Sequence, residues 1–379
     1  MLLEIIAAAE LALWLYLLLF RGGFWREFYT RTPAPAGPLR QPPRIVAVIP
    51  ARNEAATIGR ALASLVAQVY PGAFHIIVVD DDSTDGTAEA ARLAASPDVL
   101  TVVAAGALPA GWTGKLWALS RGIHHAAELR PDFLLLTDAD IVHPPGAVEE
   151  LACRAVGGSR DMVSFMATLE CQSPAERALI PAFVYFFFQL YPPAWVRKPG
   201  WNTAAAAGGC VLVRNAALER IGGIGAIREA LIDDCALARS VKSSGGRIGL
   251  GLNPDTVSIR SYGTFGEVGR MISRTAFTQL HHSTLLLAGT TLGLIFTYLL
   301  PPVLAVFAPQ PAAGLAAMAW LVMSITYFPA LRYYHRRWFT APLLPLAAVF
   351  YLAATVHSAI AYWLGSGGLW KGRVQDKPI

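Results

Sequence analysis

The chain has 379 residues, with 31 Lys and Arg against 26 Asp and Glu for a formal charge of +5; 54% of it is hydrophobic and 15% charged. Soluble domains carry about 25% charged residues, so this balance, with a mean hydropathy of +0.44, excludes a disordered tail, a coiled coil, a small disulfide scaffold and an ordinary water-soluble globule. Cys153, Cys171, Cys210 and Cys235 are far apart, with no C-x-x-C, which argues for reduced thiols rather than a zinc site or a redox pair.

Residues 1–20 are apolar apart from Glu4 and Glu10, and Arg21, Arg26 and Arg31 follow. A signal peptide carries its positive charge before the apolar run, so an uncleaved anchor over 1–21 is expected. The positive-inside rule then puts Met1 outside and the following chain in the cytoplasm. A spacer over 22–43, Pro-rich from Pro33 to Pro43, leads to a domain expected over 44–280.

That domain reads as alternating strand and helix. Arg44–Ile49 is a β-branched run, followed by a helical pattern over Glu54–Gln68 with Asn53 as its expected N-cap. His75–Val79 is a buried-type strand ending in Asp80-Asp81-Asp82-Ser83, and a helix over Thr87–Ala95 leads to a strand over Val99–Val103. A loop with Gly111 and Gly114 enters a helix near Leu116–Ala127, and Phe133–Leu136 is a strand ending in Asp138-Ala139-Asp140. This alternation predicts a parallel sheet wound in βαβ units. In such sheets ligands bind at the carboxyl ends of the strands, where Arg52-Asn53-Glu54, the aspartate run and Asp138-Ala139-Asp140 all fall.

Asp138 and Asp140, two apart after an apolar strand, suit one hard divalent cation, Mg²⁺ or Mn²⁺, completed by substrate phosphates. Asp80, Asp81 and Asp82 repel one another; part of the run serves to cap the next helix, or a carboxylate reads a nucleoside. Lys115, where a flexible loop meets a helix N-terminus, suits a diphosphate. Asp233-Asp234 opens a helical pattern over Cys235–Val241, either compensating the helix N-terminus or presenting Asp234 as a general base. His124-His125 and His281-His282 have no acidic or cysteine partner at ligand spacing.

Ile180–Val196 is apolar and aromatic but short for a span and broken by Pro181, Pro192 and Pro193; it reads as interfacial, or as buried core. No charged residue occurs from Ser283 to Leu331, too long for one span of about 20 residues. Pro309-Gln310-Pro311 divides it into spans over 283–308 and 312–331. A third span over 341–364 precedes a basic tail, 365–379. With Met1 outside, four full spans place Lys371 and Arg373 outside as well, against the charge rule. Either one segment is re-entrant or interfacial, or the tail breaks the rule.

The ordered motifs I-P-A-R-N-E (Ile49–Glu54), V-V-D-D-D-S-T-D-G-T (Val78–Thr87), D-A-D (Asp138–Asp140) and I-D-D (Ile232–Asp234) resemble those of family 2 glycosyltransferases. G-W-T-G-K-L-W-A-L (Gly111–Leu119), S-R-T-A-F-T-Q-L (Ser273–Leu280) and W-K-G-R (Trp370–Arg373) are similar to the hopene-associated glycosyltransferases of bacterial hopanoid gene clusters. The resemblance implies an α/β GT-A (Rossmann-like, nucleotide-diphospho-sugar transferase) domain flanked by N- and C-terminal transmembrane helices. It implies nucleotide-sugar contacts from Pro50, Arg52, Asn53, Glu54, Asp80, Asp81, Lys115, Asp138 and Arg274. It also places the metal on Asp138 and Asp140, and the base at Asp234 beside Asp233. Two departures stand out. Asp233-Asp234 replaces the family's Glu-Asp pair, and its Q-x-x-R-W motif is absent, with Arg274 followed by Thr275; this argues against processive synthesis.

The expected protein is a multi-pass enzyme of the bacterial cytoplasmic (inner) membrane with its catalytic domain facing the cytoplasm. It moves a hexosyl or N-acetylhexosaminyl group from a UDP-sugar to a membrane lipid, a hopanoid by resemblance, with no nucleic-acid partner. Two alternatives stay open: a polyprenyl-phosphate or glycerolipid acceptor, and a non-catalytic nucleotide-sugar-binding membrane protein.

Overall fold

The computed structural model describes residues 1–29, 39–368, 371–373 and 375. Arg31, Pro33 and the spacer up to residue 38, and Trp370 of the basic tail lie outside the described residues. The chain forms two compact units, one from Arg31–Glu170 with Trp195–Arg260, the other from Met1–Thr30, Cys171–Ala194 and Ser261–Ile379. The domain expected as one piece over 44–280 is therefore divided, because 171–194 and 261–280 belong to the unit rich in apolar helices.

The first unit is an α/β domain on one eight-stranded sheet. Its strands are β1 (Ile45–Ala51), β2 (Phe74–Asp80), β3 (Leu100–Ala104), β4 (Phe133–Thr137), β5 (Ile141–Val142), β6 (Met162–Thr168), β7 (Cys210–Arg214) and β8 (Ile248–Ser258). They lie in the order β3-β2-β1-β4-β7-β6-β8-β5. The expected parallel winding holds for β3, β2, β1 and β4. It does not hold further across, since β7 runs antiparallel to both β4 and β6 and makes the sheet mixed. β1 and β4 are buried along their whole length, as near-continuous apolar strands covered on both faces must be.

Helices pack on this sheet through the faces their periodicity predicts. Ala55–Val66 buries Ile58, Ala61, Leu62 and Leu65, a single stripe at three- and four-residue spacing; each of its large side chains contributes about 1.5–3 kcal/mol by leaving water. Gly114–Ala126 lies so close to β1 and β2 that a Cβ on Gly122 would stand 2.4 Å from Val48 Cγ1 and 2.8 Å from Val79 Cγ2. Only glycine permits that approach.

Asn53 is not the N-cap expected of it. Glu54 occupies the cap position, while Asn53 sits at φ 50° and its Oδ1 accepts from the Thr84 backbone N–H at 2.9 Å. The left-handed backbone turns this side chain toward the loop after β2, a conformation asparagine tolerates better than most residues. The aspartate run does not cap the next helix either: Gly86 does so at φ 86°, with Asp85 Oδ1 accepting from Thr87 N at 3.1 Å.

In the second unit, Leu2–Leu19 packs on Ala312–Tyr333 through small residues, with Ala7, Ala312 and Ala316 clustered beside Leu304. Small side chains let such helices approach closely. Trp14 donates from Nε1 to the Thr297 carbonyl at 2.9 Å. The helix Pro174–Leu190 buries Tyr185 against Phe24 at 5.3 Å and Tyr327 at 5.2 Å, and sets Phe188 against Phe28 at 5.6 Å between ring centroids.

Among the described residues, five helical segments are long and apolar enough to cross a membrane: Leu2–Leu19, Pro174–Val196, Thr284–Phe307, Ala312–Tyr333 and Trp338–Trp363. Connectivity restricts the second of them. β6 precedes it and β7 and β8 follow it, yet β6 hydrogen-bonds to both in one sheet. The two ends of Pro174–Val196 must therefore lie on the same side of any bilayer, so this segment does not make a single crossing.

Candidate active site

The strands end in a cluster of opposite charges. β4 delivers Asp138, whose Oδ1 lies 3.0 Å from Lys115 Nζ; the same ammonium is 3.1 Å from Asp233 Oδ2. Thr113 caps the helix that carries Lys115, its side chain accepting from Leu116 N. Burial opposes the charge on Lys115, but Asp138, Asp233 and Asp234 outweigh it and hold the ammonium above its usual range. Burial, helped by Asp140 and Asp233 and opposed by Lys115, raises the Asp138 carboxyl.

Asp234 opens the helix Asp233–Ser243. Its Oδ2 accepts from Gly208 N and its Oδ1 from Cys235 N, both at 2.7 Å. Burial and then Asp233 push its pKa up to about 6, against Lys115 and the two N–H donors. Gly208 is needed for this contact, since a Cβ there would come within 3.2 Å of Asp234 Oδ2 and 3.4 Å of Lys115 Nζ. Beside these groups lies a pocket walled by Pro50, Leu116, Leu136, Val211, Ile224 and Ile227.

Asp140 is buried and engaged elsewhere. Its Oδ2 accepts from Arg260 Nε at 2.8 Å and from Ser258 Oγ at 3.3 Å, and the same guanidinium also donates to Glu54 Oε1. At the end of β2, Asp80 Oδ2 accepts from Ser83 N at 3.4 Å, while its Oδ1 is buried with no donor. Asp81 is fully buried. Arg52 stands 3.8 Å from Asp81 Oδ2 and donates to the Asp81 and Asp82 carbonyls.

Thus Pro50, Glu54, Lys115, Asp138, Asp140, Asp233 and Asp234 share one site, and Arg52, Asn53, Asp80 and Asp81 form the neighbouring strand ends. Arg274 belongs to the other unit, where it caps the helix Phe265–Ser273. Arg260, Ser258 and Gly208 escaped the sequence reading. The strand-end rule would have found Arg260 had β8 been recognised as a strand.

His143 is a further residue built into this end of the sheet. Thr137 Oγ1 donates to the Gly209 carbonyl at 2.8 Å, so its one proton is committed and His143 Nε2–H must donate to it at 3.0 Å. The pair ties the end of β4 to the loop that carries Gly208. Burial pushes the imidazole down to about 4, below its ordinary value of about 6.5. The neutral ring therefore contributes stability above pH ~6.5 that is lost as pH falls toward 4, about 3 kcal/mol at the acidic end. Melting of wild type and His143→Gln between pH 7 and 4 checks this. The variant should show the shallower pH dependence, and parallel curves would contradict it.

Two carboxylates and a donor diphosphate suffice for Mg²⁺ or Mn²⁺, which keep several waters. Among the described residues no group of three His, Cys, Asp or Glu side chains is arranged to hold a metal. Asp138 and Asp140 nonetheless fit such an ion. Five carboxylates (Glu54, Asp138, Asp140, Asp233, Asp234) face two cations (Lys115, Arg260) here. The excess negative charge must be offset before a diphosphate can enter.

A 4,4'-diaponeurosporenoate glycosyltransferase of Staphylococcus aureus is 38% identical over 94 residues, 25% of this chain and 23% of that protein. The chain thus spans about a quarter of the length of the curated relatives it matches. A mannosyltransferase of Pyrobaculum calidifontis, solved in complex with GDP-Man and Mn²⁺, aligns with a TM-score of 0.60 over 93% of this chain and 99% of its own, at 22% identity. That likeness shows a shared GT-A fold. Residues 46–222, a little under half of the chain, match the model of glycosyl transferase family 2.

Proposed function

We propose that the protein is a membrane-bound inverting glycosyltransferase that moves a sugar from a UDP-sugar to a hydroxyl of a membrane lipid, with a hopanoid as the acceptor favoured by the sequence resemblance. The observation that carries this reading is Asp234, a carboxylate with its pKa pushed to about 6, beside the Lys115–Asp138 pair at 3.0 Å. A base poised near the working pH and a cation at the place of a leaving diphosphate are what glycosyl transfer requires. The segments of mean hydropathy 1.3 to 2.1 favour a lipid acceptor, as does the relative named for 4,4'-diaponeurosporenoate.

Asp234 takes the proton of the acceptor hydroxyl while the hydroxyl oxygen bonds to the anomeric carbon. The bond from that carbon to the diphosphate oxygen breaks, and its electron pair leaves with the nucleotide. Asp233 and Asp138 keep the Lys115 ammonium in place, and Gly208 N–H and Cys235 N–H orient the base. Asp80, whose Oδ1 has no hydrogen-bond partner among the described residues, would accept from the N–H or hydroxyl donors of a nucleoside. Asp138 and Asp140 would hold a divalent cation, which when bound would supply positive charge against the diphosphate.

Incubating the detergent-solubilised protein with UDP- and GDP-sugars, Mg²⁺ or Mn²⁺ and bacterial lipid extract, and following nucleotide release, tests the reading. Release that depends on lipid and metal and disappears in Asp140→Ala is expected. Nucleotide binding without release from any donor would refute it in favour of a non-catalytic binder. Chromatography of the glycosylated lipid separates hopanoid from polyprenyl-phosphate and glycerolipid acceptors.

A further inference from the structure

Ser258, the last residue of β8, pairs with Ile141 in β5, and Ile259 N donates to the Asp140 carbonyl at 2.9 Å. This ladder sets Arg260 beside Asp140 whatever its side chain does. The side chain then bridges two loops: Nε donates to Asp140 Oδ2 at 2.8 Å and Nη2 to Glu54 Oε1. Ser258 Oγ joins on the same Asp140 oxygen at 3.3 Å. Both donors therefore converge on Oδ2, and Oδ1 of this buried carboxylate accepts no hydrogen bond among the described residues.

We propose that Arg260 is the positioning residue for the metal-holding carboxylate, fixing Asp140 so that Oδ1 faces the cation, with Glu54 sharing the guanidinium so that the cluster keeps a net negative charge. The inference rests on the glycosyltransferase reading of this site. A lone guanidinium against a lone aspartate would cancel the charge the metal needs. Here one guanidinium is shared by two carboxylates, Glu54 also accepting from Thr57 Oγ1 at 3.1 Å, so a net negative charge remains. Groups hydrogen-bonded to a ligating carboxylate orient it, and their loss typically weakens metal binding about 10–100-fold. The fork matters too: lysine supplies a point charge and cannot span both carboxylates in one plane.

Mn²⁺ binding to the full-length protein in detergent, read from the electron paramagnetic resonance signal of free Mn²⁺ with UDP present, tests this without turnover. Arg260→Gln should weaken Mn²⁺ binding about 10–100-fold, with Arg260→Lys between it and wild type, while UDP binding measured without metal changes by less than the Mn²⁺ affinity in both. Wild-type or tighter Mn²⁺ affinity in the variants would overturn the positioning role and leave the functional reading intact. If Arg260→Gln fails to fold, Arg260→Lys decides on the same criterion. A wild-type protein that binds neither UDP nor Mn²⁺ would instead defeat the glycosyltransferase reading, and the inference with it.

Discussion

Asp234→Asn is expected to lower turnover by about 10²–10⁴-fold, the contribution of a well-placed general base, with nucleotide binding retained. The amide has no basic oxygen near neutral pH. It also places an N–H₂ against one of the two backbone N–H groups that now donate to the carboxylate at 2.7 Å, so Asp234→Glu serves as the companion variant that keeps an acid. The pH profile gives a second readout. Because burial and Asp233 raise the pKa to about 6, wild-type kcat/KM should climb as pH rises through 6 and level off above it, where the base is free of its proton. Lys115 keeps its charge throughout that range and adds no limb of its own. Wild-type turnover in Asp234→Asn, or an unchanged acidic limb in its residual activity, would remove Asp234 from the role of base.

The half of the sheet from β1 to β4 was legible in the sequence because these strands are apolar runs ended by polar punctuation. The expected strand at Arg44–Ile49 corresponds to Ile45–Ala51, and Phe133–Leu136 to Phe133–Thr137. β8 was not legible, since Gly249, Gly251, Asn253, Pro254 and Asp255 break the apolar, β-branched pattern of a strand. Pairing with β6 along most of its length makes it a strand regardless, and Arg260 was hidden with it. Asp138, Lys115, Asp233 and Asp234 could be picked out singly, but nothing in their spacing says that one ammonium lies about equally far from Asp138 and Asp233. Asn53 failed as a cap for a related reason. Its backbone conformation is set by the loop after β2, over thirty residues away in sequence, through contacts such as Thr84 N to Asn53 Oδ1. The aromatic Ile180–Val196 stretch could be sorted neither as interfacial nor as buried core from composition. Its placement follows from strands on both sides of it sharing one sheet.

Lys115→Met should be the most destabilising single change in the site, because it removes the cation shared by Asp138 and Asp233 and leaves Asp234 facing them. Breaking a fully buried pair costs about 3–5 kcal/mol. Asp138 keeps 35% of its side chain exposed, and solvent screening lowers the expected loss to about 2–3 kcal/mol. The sign of its pH dependence follows from the carboxylates. Without the ammonium the folded pKa values of Asp138 and Asp234, already raised, rise further above the unfolded value of about 3.9, so the folded state binds more protons than the unfolded one. The deficit is then greatest above the Asp234 value of about 6 and shrinks as pH falls toward 4, where protonation replaces the missing cation. Adding Asp233→Asn removes one repelling charge, so the double variant should melt above Lys115→Met at pH 7.5. Stabilities that simply add, or a single variant melting with wild type at both pH 7.5 and pH 5, would show that the ammonium does not hold these carboxylates together. In that case solvent, rather than Lys115, would be what tolerates so much negative charge at the end of β4.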